Sequence, residues 1–202
     1  METVRSFIAI ELPDELKLGL IKLQARLKTD DKPWIKWVDP NSIHLTLKFL
    51  GNIPVDRIGE ITRAMTEAAQ GIFPFHLEVQ ELGVFPNRKR VQVVWVGLGV
   101  EVDKLSQLQQ LIESKLARLG FAPESRTFKP HLTLARLRHQ ASPDERQSLG
   151  QLIASTELET TYTIKVDTLS LMRSQLTRQG ALYSQLSSAK LGKNLLSKEV
   201  DK

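Results

Sequence analysis

Apolar residues recur along the chain with two different periods, which predict strands and helices in a regular order. Continuous apolar runs such as 7–10 and 94–97 are typical of strands. Spacings of three or four residues predict amphipathic helices, first at Leu16, Leu20, Leu23 and Leu27, and later at Leu105, Leu108, Ile112 and Leu116. Two more helices are predicted at Ile58–Ala68 and Arg146–Ile153, with Asp56 and Ser142 as candidate N-terminal caps.

The chain also resembles itself at one fixed offset. The run His-Leu-Thr-Leu begins at His44 and again at His131, which is 131 − 44 = 87 positions later. The same offset brings strand 7–10 onto 94–97 and the apolar positions of 75–84 onto those of 162–171. Each half, about 4–90 and 91–187, therefore runs strand, helix, HLTL strand, helix, strand. This order predicts two pseudo-symmetric α+β lobes within one domain, although a coincidental α/β periodicity would look similar.

Side-chain alternation in a strand separates the two residue types of each HLTL run. His44 and Thr46 point to one face and the intervening leucines to the other, and the same holds for His131 and Thr133. If the leucines face the core, each lobe presents one imidazole and one hydroxyl side by side. An approximate two-fold relation would let the two faces meet across a cleft.

Two histidines and two threonines in one cleft suit phosphoryl chemistry. One imidazole can accept a proton from water while the other donates a proton to the leaving oxygen. The threonine hydroxyls of Thr46 and Thr133 can donate to the non-bridging oxygens, where negative charge develops. This scheme requires no metal and no cofactor. A zinc site is the alternative, but HxH and HExxH motifs are missing and a third protein ligand is not evident.

Composition narrows the class of protein further. The chain has 202 residues, no cysteine and a formal net charge of +5, so thiolate chemistry is excluded and a polyanionic partner is favoured. No apolar run approaches the roughly 20 residues of a membrane span, and the early acidic residues lead us to expect that the first residues are not a signal peptide. We expect a monomeric, cytoplasmic protein. The polar segment 188–202 is expected to be a C-terminal tail.

Several stretches of the sequence together resemble one known family, the two-histidine (2H) phosphoesterases, and specifically the LigT-like RNA 2′,3′-cyclic phosphodiesterases that are also called 2′-5′ RNA ligases. The resemblance rests on Arg5–Pro13, His44–Gly51, Trp95–Leu98, Phe128–Arg136 and Leu171–Leu176 with the late Tyr183. The two HLTL motifs are specific in combination.

The resemblance implies a bilobal fold, each lobe an antiparallel sheet with helices on its outer face and the active cleft between the lobes. It further implies hydrolysis of 2′,3′-cyclic phosphate ends of RNA, or of a nucleotide with such an end, to 2′-phosphomonoesters. In this family assignment His44 donates a proton to the departing 3′ oxygen, and His131 accepts one from water.

Other residues have weaker functional signals. Arg136 is a candidate phosphate ligand, but it lies five residues after His131, so a bulge or strand end is needed to turn it inward. Phe49 follows His44 by the same odd interval and either stacks on a base or packs in the core. The basic turn 88–90 is expected to be mainly solvated, as are His76 and His139, while Trp34 and Trp37 suit either a lid or the core.

Two other functions remain open at this stage. The same acid and base can join a 2′,3′-cyclic phosphate to a 5′-hydroxyl, which is the reverse reaction. A basic groove can also hold an RNA end without cleaving it. ATP-driven ligation has no basis in the sequence, because no Walker-type loop is present.

Overall fold

The computed structural model describes residues 2–28, 32–177 and 181–192. Within these ranges the chain forms nine strands and four α-helices. In chain order they are β1 (Thr3–Ile10), α1 (Asp14–Leu27), β2 (Ile35–Trp37), β3 (Leu45–Pro54), α2 (Ile58–Ala69), β4 (Phe75–Phe85), β5 (Val93–Val100), α3 (Val102–Ala117), β6 (His131–Leu137), α4 (Pro143–Ser155), β7 (Thr163–Val166), β8 (Thr168–Leu176) and β9 (Ala181–Lys190).

The strands form two sheets in which every neighbouring pair is antiparallel. The first sheet has the order β3-β1-β8-β9 and the second has the order β2-β6-β5-β4-β7. Helices α2 and α3 contact each other and the first sheet, whereas α4 contacts the second sheet. The predicted α+β class with two antiparallel sheets and helices is therefore confirmed.

Each half of the sequence contributes strands to both sheets. The first half supplies β1 and β3 to the first sheet but β2 and β4 to the second, while β8 and β9 return from the second half to the first sheet. Strand β4 lies in the second sheet because only seven residues, 86–92, connect it to β5. Strands joined by so short a connection pair as a hairpin. The series β3-β1-β8 in one sheet thus corresponds to β6-β5-β4 in the other.

The apolar residues at helical spacing in α1 and α3 occupy the core positions that their spacing predicts. Leu16, Leu20, Leu23 and Leu27 of α1 are buried, and so are Leu105, Leu108, Ile112 and Leu116 of α3. Helix α1 is also tied to the second sheet by Gln24, whose buried amide donates to the carbonyl of Leu134 in β6 at 3.2 Å. Trp34 is buried in the core and Trp37 packs against it, so both tryptophans are core residues.

The two predicted helix caps have different outcomes. Ser142 caps α4, since its hydroxyl accepts from the backbone N–H of Glu145 and the Glu145 carboxylate accepts from the N–H of Ser142. The prediction for Asp56 is wrong. Asp56 lies inside a 3-10 turn, Val55–Arg57, which runs directly into α2, and no side chain caps that helix.

The last described strand continues past the expected start of the tail. Strand β9 extends to Lys190 and pairs with β8 along its length, and Leu191 is buried. The remainder of the expected tail, 193–202, lies outside the described residues. No helix in the described ranges is both long and apolar enough to cross a membrane.

Candidate active site

His44 is held at the start of β3 by a backbone carbonyl and two aromatic rings. It follows the 3-10 turn Pro40–Ser42, and its Nδ1 lies 2.9 Å from the Ser42 carbonyl oxygen. A carbonyl oxygen can only accept a hydrogen bond, so Nδ1 carries a proton and Nε2 is available for proton transfer. The ring stacks on Phe7 at 4.5 Å between centroids and meets Tyr183 edge-on at 4.9 Å. Its orientation is therefore fixed on three sides.

His131 is fixed in the same way at the start of β6. Its Nδ1 lies 2.7 Å from the carbonyl oxygen of Lys129, again two residues upstream. Phe85 packs edge-on against the ring at 5.1 Å, and Trp95 lies behind at 6.5 Å. Both imidazoles thus have a protonated Nδ1 and an Nε2 free of protein partners within the described residues.

The leucines of both HLTL runs face the core, as alternation predicts. Leu45, Leu47, Leu132 and Leu134 are all buried, with at most 4% of their surface exposed. Thr46 and Thr133 are half-buried and line the same cavity as the two histidines. One sheet therefore supplies His44 and Thr46, and the other supplies His131 and Thr133.

A bulge in each HLTL strand turns a later side chain into the cavity. In β3 the register against β1 jumps between Lys48 and Thr46, which leaves Leu47 as the extra residue. In β6 the register against β5 jumps between Ala135 and Thr133, which leaves Leu134. These two positions are again 87 apart.

The bulges reverse the side-chain alternation beyond them. Phe49 and Arg136, each five residues after a histidine, consequently line the cavity with the histidines. The bulge in β6 thus turns Arg136 inward, as a role as phosphate ligand requires. Phe49 is 65% exposed, so the core-packing alternative for its side chain is wrong.

The resulting cavity has a volume of about 150 Å³ and lies where the two sheets face each other. It is lined by Val38, Ser42, Ile43, His44, Thr46, Phe49, His131, Thr133, Arg136 and Tyr183. The six residues with a predicted catalytic or binding role are therefore in one place, namely His44, Thr46, Phe49, His131, Thr133 and Arg136. The remaining candidates are not, since His76, His139 and the basic turn 88–90 are exposed and line no part of it.

Burial lowers the pKa of both cavity histidines below the ordinary value of 6.5, but their charged neighbours differ. For His44, the hydrogen bond to Ser42 and the negative charge of Glu11 oppose the effect of burial and raise the pKa. For His131, the hydrogen bond to Lys129 raises the pKa whereas the positive charge of Arg136 lowers it further. The negative charge of Glu11 therefore favours the protonated form of His44, and the positive charge of Arg136 favours the neutral form of His131.

Sequence reasoning did not assign roles to the residues that support the histidines. Phe7 and Glu11 come from β1 and its end, Phe85 comes from β4 and Tyr183 from β9, and only strand pairing brings them to the site. Tyr183 entered the sequence analysis as part of a resemblance and without a role. Burial raises the pKa of its hydroxyl, so the group stays protonated and remains a hydrogen-bond donor.

The described residues contain no group of three or more His, Cys, Asp or Glu side chains arranged to hold a metal ion. The side chains that line the cavity include two imidazoles and the guanidinium of Arg136, which can bind an anionic substrate.

Comparison with known proteins identifies relatives of this chain. The RNA 2′,3′-cyclic phosphodiesterase of Methanothermobacter thermautotrophicus is 34% identical over 184 residues, which cover 91% of this chain and 96% of that protein. The RNA 2′,3′-cyclic phosphodiesterase of Aquifex aeolicus is 29% identical and covers 95% of this chain and 100% of its own. Among solved structures, E. coli LigT complexed with 3′-AMP is similar, with a TM-score of 0.74 and 26% identity over 95% of this chain and 100% of that chain.

The family model of the LigT-like phosphoesterases matches two consecutive segments, residues 10–95 and 98–183. The first segment contains the motif of His44 and the second contains that of His131. Because the two matches together span most of the sequence, this protein belongs to the LigT-like phosphoesterase family.

Proposed function

We propose that this protein is an RNA 2′,3′-cyclic phosphodiesterase that hydrolyses the cyclic end to a 2′-phosphomonoester without a metal ion. The observation that carries the proposal is the pair of imidazoles, each with Nδ1 held by a carbonyl and each lining one cavity with a threonine. The names of the relatives at 34% and 29% identity support the choice of substrate.

The chemistry requires one proton to be removed and another to be delivered. Neutral His131 accepts a proton from water through Nε2 as the water oxygen bonds to phosphorus. The bond from phosphorus to the 3′ oxygen breaks, and protonated His44 donates its Nε2 proton to that oxygen. The enzyme ends with the two protonation states exchanged, and proton exchange with solvent restores them.

The electrostatic neighbours support this order of the two roles. Glu11 stabilises the positive charge that a proton donor must carry at His44, and Arg136 disfavours the same charge on His131, which must begin neutral. The near-symmetric motifs alone do not distinguish acid from base. This assignment agrees with the family orientation in which the 3′ oxygen departs.

The other cavity residues bind the phosphoryl group and the nucleotide. Thr46 and Thr133 donate hydroxyl protons to the non-bridging oxygens, whose charge grows in the transition state. Arg136 pairs with the same oxygens through its planar guanidinium. Phe49, which is exposed at the cavity mouth, offers a face on which a base can stack.

The proposal is tested with a 2′,3′-cyclic nucleotide in the presence of excess EDTA, with the product isomer identified by ³¹P NMR. We expect turnover that EDTA does not reduce and a 2′-phosphate as the product. A requirement for added divalent metal would contradict the mechanism. A 3′-phosphate product would reverse the orientation of the substrate between His44 and His131.

A further inference from the structure

A second, larger groove opens directly from the catalytic cavity. Its volume is about 920 Å³, and it shares Thr46, Phe49, His131 and Arg136 with the cavity. The cavity itself, at about 150 Å³, is smaller than the roughly 300–1,000 Å³ typical of pockets that enclose a whole small ligand. It is large enough for the reacting phosphate and its immediate neighbours, so the rest of a substrate must lie outside it.

The groove carries an excess of positive charge. Its cations are Lys48, Arg126, Lys129 and Arg136 and its carboxylates are Glu113 and Glu124, which gives 4 − 2 = +2. Lys48 is neutralised by Glu113 at 2.7 Å. Arg126, Lys129 and Arg136 form no ion pair with any carboxylate in the described ranges of the chain. They remain available to an anion from solvent.

Three aromatic side chains line the groove together with these cations. Phe49 is 65% exposed, and Phe85 and Phe128 are half-buried. Phe128 also packs against the core and Phe85 contacts Trp95 and His131, so each presents only part of its ring to the groove. Cations beside aromatic side chains are the features with which proteins bind single-stranded nucleic acid, since the cations neutralise phosphates and the rings stack on bases.

The groove wall that carries Arg126 and Lys129 is held in place by buried contacts. Lys48 Nζ donates to the Ala122 carbonyl at 2.9 Å as well as to the Glu113 carboxylate. The Glu113 side chain also accepts from Gln109 at 3.1 Å. The segment between α3 and β6 is thereby fixed to β3, the strand that begins beside His44.

We propose that this groove binds the nucleotide preceding the cyclic phosphate end, so that the preferred substrate is an RNA oligonucleotide and not a free cyclic mononucleotide. Arg126 and Lys129 bind the phosphodiester that links the last two nucleotides, and Phe128 stacks on the base of the preceding nucleotide. This inference rests on the proposed function, because it takes the cyclic phosphate to lie between His44 and His131.

The test compares kcat/KM for a 2′,3′-cyclic mononucleotide with that for a dinucleotide carrying the same cyclic end. We expect the wild-type protein to favour the dinucleotide by about 10-fold or more, from one stacked base and one neutralised phosphate. The Arg126→Ala/Lys129→Ala variant should bring this ratio close to one. A matched control, Arg88→Ala/Lys89→Ala, removes two cations from an exposed turn outside both cavities and should leave the ratio unchanged.

The outcomes separate this inference from the proposed function. Equal kcat/KM for the two substrates in the wild-type protein would overturn the groove assignment and leave the hydrolase intact. A dinucleotide preference that survives in the Arg126→Ala/Lys129→Ala variant would overturn the assigned residues. Failure to hydrolyse either substrate would overturn the proposed function itself.

Discussion

The threonine two residues after each histidine brings a hydroxyl to the cavity. Thr46 and Thr133 are half-buried there, on strands whose adjacent leucines form the core. Replacing threonine by valine keeps the branched shape and the strand preference but deletes the donor. The role of the hydroxyl can therefore be separated from that of packing.

We expect Thr46→Val and Thr133→Val each to lower kcat about 10²- to 10³-fold, the usual cost of losing one donor to a developing oxyanion. Steady-state kinetics with a cyclic nucleotide measures this. Thr163→Val, at an exposed position of β7, is the control and should retain full activity. Wild-type rates in both cavity variants would exclude the threonines from phosphoryl binding.

The charges around the histidines predict the pH dependence of the reaction. The acid must be protonated and the base neutral, so kcat/KM follows a bell whose two apparent pKa values belong to the coupled pair. Because both His44 and His131 have a pKa below 6.5, we expect the optimum on the acid side of pH 6.5. An optimum above pH 7.5 would contradict this account.

The carboxylate of Glu11 predicts the direction in which the pKa of His44 shifts when that carboxylate is removed. This carboxylate raises the pKa of His44, so Glu11→Gln should lower that pKa and move the alkaline limb of the kcat/KM profile to lower pH. Glu15→Gln, at an exposed position in the first turn of α1, should leave the profile unchanged. A shift of the alkaline limb to higher pH in Glu11→Gln would assign the proton donor to a different group.

At the scale of the elements, two helical glycines illustrate how tightly α4 is packed. A Cβ at Gly150 would lie 2.1 Å from the backbone carbonyl oxygen of Arg88, whereas a Cβ at Gly59 in α2 meets nothing within 4 Å. The glycine in α4 is thus required by its close approach to the turn between β4 and β5. The glycine in α2 is not.

We expect Gly150→Ala to lower the free energy of unfolding by about 1–3 kcal/mol, because a backbone carbonyl cannot move aside at low cost. Gly59→Ala should raise it by about 0.4–1 kcal/mol through the reduced entropy of the unfolded chain. Urea denaturation of the two variants and the wild type measures both. A stabilised Gly150→Ala variant would mean that α4 and the turn are not in contact.

At the scale of the whole molecule, one buried ion pair connects the two motifs. Lys48 lies four residues after His44, and its side chain is 5% exposed. Its ammonium group binds Glu113 and the carbonyl of Ala122 in the segment that leads to His131. Removing one partner leaves a buried charge uncompensated, which costs more than the pair itself contributes.

We therefore expect Lys48→Met and Glu113→Leu each to destabilise the protein by about 3–5 kcal/mol, and the double variant to be destabilised by clearly less than the sum. Thermal or urea unfolding provides the three values. Lys165→Met, which breaks an exposed ion pair with Asp167, should cost less than about 1 kcal/mol. Additive losses from the first two substitutions would show that Lys48 and Glu113 do not interact.

How far the sequence determines this structure depends on the kind of pattern involved. Local patterns sufficed for the helices, for the Ser142 cap and for the alternation that places His44 and Thr46 together. The family followed from the paired motifs. These patterns depend only on residues that are close together in the sequence, so one sequence is enough to recognise them.

The exchange of strands between the halves, and the partners of each histidine, were not predicted. Phe7 reaches His44 only because β1 pairs with β3, and such pairing between distant segments leaves little trace in one sequence. The sequence indicated a bulge or strand end only as a condition for Arg136, because the consecutive buried residues that mark the bulges, at Leu47 and at Leu134, are visible only in the structure. The sequence predicts Asp56 as a cap because no local pattern indicates the 3-10 turn before α2.

The central claim is that two imidazoles from different sheets act as acid and base on one phosphate, and the turnover of single and double histidine variants tests it most directly. We predict that His44→Ala and His131→Ala each lower kcat/KM by about 10²- to 10⁴-fold in EDTA, with a double variant little worse than either one. His76→Ala and His139→Ala, both exposed and outside the cavity, should keep wild-type rates. Full activity in the double variant would contradict the account.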